Sequence, residues 1–507
     1  MKKILLAFFL VLVLALPVLA DDIVGVSNTG GTYAAGDNSN GATWGAITCA
    51  VVYDDLSTAI DAMAGTDDDI IYIDPTDTLV RVTDFDAEVD TDGSSKTGGS
   101  LTIMSVGSVP ATCILDGNDA VSTTAIFRHD EASVDIILDG VTIKDYTRNN
   151  GYAPIQVNAG GDPTFSNLII DNVNMIRNDG GIQPIIIFLA QAFSPTLSDV
   201  IIQNCNYDAT SAQLGAFLGG DDAGVDFVIS DLTVRDCTIG GTYSFSAGAM
   251  VGGLYFPGDL AMSGTNSFSD IDITGSSQAS WAFFRAADTS TAINISGTNT
   301  FDNIDLTIGT GGSNGIAATF QATTSIITGT LEIKNCDGAC TSSNGIGIFG
   351  VYGNNHALTI NADASFHDND ILTNWTSPSL CDGTIFASQG GDLTVIGASV
   401  YDNKATSGGG IRLGGWAQGT IAWCDIYNNQ VRETSGKGAG IYSMLHGNTP
   451  NAHPCVHNIF NCRIYNNQAD SGPGLQVEEA DISAPLQTLT VNTYNNIFHN
   501  GSAGVTS

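Results

Sequence analysis

The chain has 507 residues, with 16 Lys+Arg against 53 Asp+Glu and a formal net charge of −37. A polyanion of that size repels nucleic acid and anionic lipid, which argues against a nucleic-acid partner and against electrostatic docking on an acidic membrane. Its 59 glycines, set among many Asn, Asp, Ser and Thr, suit short strands joined by tight turns rather than long amphipathic helices.

Residues 1–20 begin with Lys2 and Lys3, run apolar from Ile4 to Leu16, and end with Val18 and Ala20 at the spacing of a signal-peptidase site. This is the pattern of a secretory signal, and no later apolar run reaches transmembrane length. The segment 21–66 holds the one helical pattern, YDDLSTAIDAMAG (53–65). There Leu56, Ala59, Ile60 and Met63 form an apolar stripe behind Asp54 and Asp55. A short helix of this kind suits the open end of a strand stack, where it hides unpaired edges. Residues 67–507 read as strand repeats, starting with DDIIYID (68–74).

In DFDAEVDTDG (84–93) the carboxylates of Asp84, Asp86, Glu88, Asp90 and Asp92 alternate. A strand sets all five on one face, which is oxygen chemistry for calcium. A solvated acidic loop is the plainer reading, and no cofactor is required by the rest of the chain.

LDGVTI (138–143), IDNVNM (170–175) and IQNCNY (202–207) recur at a spacing of 32 residues. VISDLTV (228–234), SDIDIT (269–274), FDNIDLT (301–307) and LEIKNC (331–336) continue the alternation that marks half-buried strands. In the last third, ASVYDN, CDIYNN, CRIYNN and NNIFHN end at Asn403, Asn429, Asn467 and Asn500, each followed by a Gly-containing turn. A constant core with variable gaps assigns the insertions to loops. One coil cannot bury its own apolar face, but stacked coils can, with equivalent residues about 4.8 Å apart. Cys424 then lies beneath Cys462, Ile426 beneath Ile464 and Asn429 beneath Asn467. Asn suits the turn, since it tolerates left-handed geometry and its amide bonds along the stack. Tyr401, Tyr427, Tyr465 and Phe498 take the opposite parity to Val400, Ile426, Ile464 and Ile497. They are expected to form an outward ladder, a candidate surface for sugar faces or, more simply, rings stacked on one another.

This layout resembles the right-handed parallel β-helix proteins: a WGA segment (44–46), a short capping helix, DIIYID, then coils. The last third is similar to the polymorphic outer-membrane protein repeats of bacterial surface proteins, which carry a G-G-A-[ILV] turn and an F-x-x-N motif. The matches are GGGI (408–411), GAGI (438–441) and FHDN (366–369). The resemblance implies an all-β right-handed solenoid displayed at the cell surface or outer membrane, or secreted. The chain stops at Ser507 inside a repeat, and this reading expects further coils in a longer protein.

Two other clusters carry chemistry. His453, Cys455 and His457 alternate within HGNTPNAHPCVHNIFNC (446–462), a donor set for zinc or copper. The alternative is a loop entering a strand with Cys455 buried. Among the 10 cysteines, Cys336 and Cys340 of CDGAC form the best candidate bridge. Cys424 and Cys462, on parallel strands in register, point the same way and are expected to stay free. β-Helix glycosidases of the polygalacturonase type carry N-T-D, D-D, G-H-G and R-I-K. NYD (206–208) and GGDD (219–222) offer Asp208, Asp221 and Asp222 as weak acid/base candidates, but neither G-H-G nor R-I-K follows. The leading expectation is therefore a non-catalytic, adhesin-like protein that binds extracellular glycan or a surface protein. A polysaccharide lyase or glycoside hydrolase on the same scaffold is the alternative.

Overall fold

The computed structural model describes most of residues 23–506. Residues 1–22 and the segments 28–41, 81–88, 91–94, 178–183, 189–193, 210–216, 221–223, 241–249, 276–279, 309–313, 341–345, 374–382, 433–435, 447–454, 481–487 and 500–504, with some shorter stretches, lie outside that description. The chain is a parallel β-solenoid. One coil from the C-terminal third gives the plan: a leading strand Gln418–Ala422, a middle strand Asp425–Tyr427, a short trailing strand Gln430–Val431, and a back strand Ile441–His446. Back strands of successive coils form one 14-stranded sheet. Leading, middle and trailing strands merge into a 34-stranded sheet, because several strands bend around corners without breaking. Phe227–Gly240 is such a strand.

The two corners explain the Asn and Asp content. In nearly every coil each is turned by a residue in the left-handed region, Ala362 being an exception, and that region costs most side chains about 1–2 kcal/mol but is tolerated by Asn, Asp and Gly. The corner after the leading strand uses Asn167, Asp199, Asp231, then Gly264, Gly297, Gly329 and Gly397, then Trp423, Asn461 and Asn495. The corner after the middle strand uses Asp and Asn throughout, from Asp145 to Asp402, Asn428 and Asn466. In YNN the first Asn therefore turns the chain. The second is buried: Asn429 is 0% exposed. Its Nδ2 donates to Val400 O of the coil before (2.9 Å) and to Asn467 Oδ1 of the coil after (3.0 Å). Asn369, Asn403, Asn429 and Asn467 form one such amide column.

Apolar residues of successive coils stack inside. Ile426 pairs with Ile464 in register, and Ile170 pairs with Ile202. The partner of Ile170 in the preceding coil is Ile143, so the equivalent of IDNVNM there starts at Ile143, not at Leu138. Between Phe165 and Phe366 the interior carries a column of phenylalanines with ring centroids 4.8–6.4 Å apart. Leu56–Asp61 is the one α-helix among the described residues. Asp55 caps it, its Oδ1 accepting from Thr58 N at 2.7 Å, and Leu56, Ala59 and Ile60 are buried. No helix among the described residues is long and apolar enough to cross a membrane, which says nothing of β-barrels.

Candidate functional site

The outer surface differs from face to face. On the back sheet the row that alternates with the core row is buried too: Gln156 is 1% exposed, Arg285 6% and Arg412 0%. Two of its arginines lie over neighbouring rings, Arg285 over Tyr255 and Arg412 over Tyr442. Tyr442 in turn donates to Glu478 (2.7 Å), which also pairs with Lys437 (2.8 Å). These polar side chains tie down the back of the stack.

The middle face is open. Tyr401, Tyr427 and Tyr465 project from it, half-buried, with centroids 4.9–5.0 Å apart and planes within 2–6° of parallel. His367 extends the stack at 4.8 Å from Tyr401. Phe498 does not belong to this ladder. It pairs with the inward Ile464, while His499 pairs with Tyr465 and Ile497 lies 61% exposed. The cause is the corner residue. Asn495 is the left-handed turn equivalent to Asn461, so NNIFHN begins one residue earlier in the coil than CRIYNN, and a one-residue slip exchanges faces. Because the tyrosines stack face to face, they offer ring edges and hydroxyls to solvent, not open ring faces.

A second row was hidden by its varied sequence context. Asp272, Asp305, Asp337 and Asp370 occupy one outward position in four successive coils, in register. Asp305, Asp337, Asp370 and Arg432 line an open cleft of about 230 Å³. Burial pushes the Asp337 carboxyl up to about 6, and its like-charged neighbours Asp305 and Asp370 add to the shift. Asp305 is raised for the same two reasons, with Asp272 as its charged neighbour. Lys404 follows Asp370 in register, and Arg432 forms an ion pair with Asp370.

The remaining candidates fall apart from these rows. Asp208 is exposed at the end of strand Asn206–Ala209. Asp221 and Asp222 lie outside the described residues, as do Asp84, Asp86, Glu88, Asp92 and His453. Asp90 lies in strand Val89–Asp90, opposite Arg128. Cys455 and His457 point into the core. His457 Nε2–H donates to Ala417 O (3.0 Å), leaving Nδ1 to accept from Ser443 Oγ (2.6 Å). Burial lowers this imidazole to about 4 and raises the Cys455 thiol to about 12. A neutral, fully occupied histidine is a packing residue. Among the described residues no group of three or more His, Cys, Asp or Glu converges as a metal site.

The expected bridge between Cys336 and Cys340 does not form. Cys336 is a buried free thiol that donates to Lys334 O at 3.3 Å. It sits just inside the corner turned by Asn335, at the position Asn369 takes one coil later, where Asn369 Oδ1 receives the Cys336 N–H. Cys424 and Cys462 are free and buried, as their parallel register requires.

No family model, no curated protein and no solved structure matches this chain.

Proposed function

We propose that this chain is a secreted or surface-displayed, adhesin-like protein that binds extracellular glycan or a surface protein without turning it over. We take the coils to wind right-handed, the hand that parallel crossover connections almost always adopt, and the helix Leu56–Asp61 to close the N-terminal end. One observation carries the reading: the middle face repeats the same outward groups coil after coil, with phenol rings spaced 4.9–5.0 Å apart on a rigid stack. A regular, half-exposed surface of this kind presents many equivalent weak contacts to an extended partner, and such contacts add through effective concentration. The test is saturable binding of the labelled chain to intact cells and extracellular matrix, before and after periodate or protease treatment of the target. Saturable binding that is lost after either treatment supports the reading. Equal, unsaturable retention on every surface refutes it.

The acidic row favours a second reading, a glycoside hydrolase. A carboxyl held near 6 beside in-register carboxylates is the arrangement of a general acid and its partner. Release of reducing ends from a polysaccharide panel, lost in Asp337→Asn, would move the conclusion to catalysis.

A further inference from the structure

We propose that the surface around Trp423, at the corner between the leading and middle faces of the C-terminal coils, is a platform for an uncharged glycan chain. The proposal rests on the reading of the protein as an extracellular binder and names the ligand class and its site.

Trp423 is out of place by every structural criterion. It holds a left-handed turn at φ +60°, where the coils on either side use Gly397 and Asn461. A bulky residue is strained there, and this one is also 63% exposed, so burial does not offset the strain. A β-carbon placed on Gly397 would meet nothing within 4 Å, which leaves the surface beside the turn open on that side. Among the described residues no ring stacks on Trp423, unlike the tyrosine ladder, whose ring faces cover one another. The indole face is therefore free for a ligand.

Its neighbours complete the chemistry. Beside Trp423 runs a row in register that opens to solvent along the stack, from Ala422, which is buried, through Phe460, half-buried, to Tyr494, 60% exposed. Next to it runs a second outward row, Thr420, Asn458 and Asn492, where Asn492 Nδ2 donates to Asn458 Oδ1 at 2.9 Å. Aromatic faces beside amides and a hydroxyl match a pyranose, which has an apolar C–H face and a rim of hydroxyls. The two rows span three coils, roughly 10 Å along the stack. A chain of sugars laid along the axis would meet one ring or amide after another.

Charge selects the ligand class. Neither row carries a charge, and beyond the corner Asp425 and Arg463 neutralise each other in an ion pair. The chain as a whole carries −37. A polyuronate or sulfated glycan would approach against that field, whereas a neutral one would not.

The experiment is affinity electrophoresis of the full chain in gels containing hydroxyethylcellulose, xyloglucan or galactomannan, with polygalacturonate and heparin as anionic controls. Titration of tryptophan fluorescence follows any retardation. The informative variant is Trp423→Asn, which installs the residue that already turns the next coil, so the fold is expected to keep or raise its melting temperature. Retardation by at least one neutral polysaccharide, weakened tenfold or more in Trp423→Asn and in Tyr494→Ala but not in Tyr427→Ala, is the expected result. Binding that is unchanged in Trp423→Asn overturns the site and leaves the adhesin reading standing. Binding confined to the anionic gels or to protein targets overturns the ligand class. A chain retained by no glycan and no surface protein overturns both this inference and the function it rests on.

Discussion

The coils between Phe165 and Phe366 and those that follow share one backbone plan but place their aromatic rings oppositely. In the first group phenylalanines fill the interior, in tilted or edge-on pairs. In the second the interior is aliphatic, with Val400, Ile426 and Ile464 beside the amide column, and the rings stand outside in parallel. Interior rings pack tilted or edge to face, as their quadrupoles prefer over a face-to-face sandwich. Rings on an open face adopt the spacing of the coils themselves. The difference teaches that stack regularity is set by hydrogen-bonded columns, and that aromatics adapt to it.

Phe284→Ala removes the ring that links Phe256, Phe301 and Phe320 and is expected to destabilise the chain by about 4 kcal/mol. The melting midpoint in urea reads this directly. Asn429→Ala takes the acceptor from Asn403 N and from one Nδ2 hydrogen of Asn403, and the side-chain donor from Val400 O, while Asn467 Oδ1 keeps the backbone N–H of residue 429. It is expected to cost about 3 kcal/mol, with hydrogen exchange rising across the C-terminal coils before the phenylalanine coils. An equal rise throughout would mean that the two groups unfold as one unit.

Acid separates the groups more finely. His457 titrates at about 4 when folded and near 6.5 when unfolded. Below 6.5 the unfolded chain binds the extra proton, so the C-terminal coils lose stability as pH falls from 6.5, by about 3 kcal/mol at pH 4. Asp337 runs the other way. Its folded value of about 6 lies above the unfolded one, so its contribution is present below about pH 4 and is lost as pH rises through 6. Exchange mapped at pH 4.5 and 7.5 should therefore weaken the coils around His457 on acidification and firm those around Asp337. His457→Leu should abolish the first trend alone. Smallest of all, Tyr427→Ala is expected to cost about 1 kcal/mol or less, because its ring is half-exposed and contributes stacking rather than core burial.

The solenoid was legible because alternation, Asn turns and recurring YNN wrote the coil into the sequence. The interior position of Ile426 and Ile464 and the outward Tyr401, Tyr427 and Tyr465 followed from parity alone. The slip at Phe498 was not legible: NNIFHN contains an Asn at each end, and only the left-handed turn at Asn495 decides which one opens the coil. The back sheet gave little signal, since strands such as Gly383–Ser388 are buried on both faces and so lose the alternating pattern. The acidic row escaped because each aspartate sits in a different local sequence, and only register unites them. Trp423 escaped because nothing in its neighbourhood of sequence marks it as a corner.

The free thiols set a condition on the export that we propose for this chain. Eight described cysteines are buried and unbridged, yet an extracytoplasmic compartment oxidises thiols that stay exposed. Cys205 and Cys237 are neighbours at one register position of successive coils, between the pairs Gln203–Arg235 and Asn206–Thr238, so an early oxidant would find them close together with no need of a distant partner. Each thiol escapes only when the next coil closes over it. Coil closure must therefore outrun oxidation, and a chain delayed in folding would be trapped by its own cysteines.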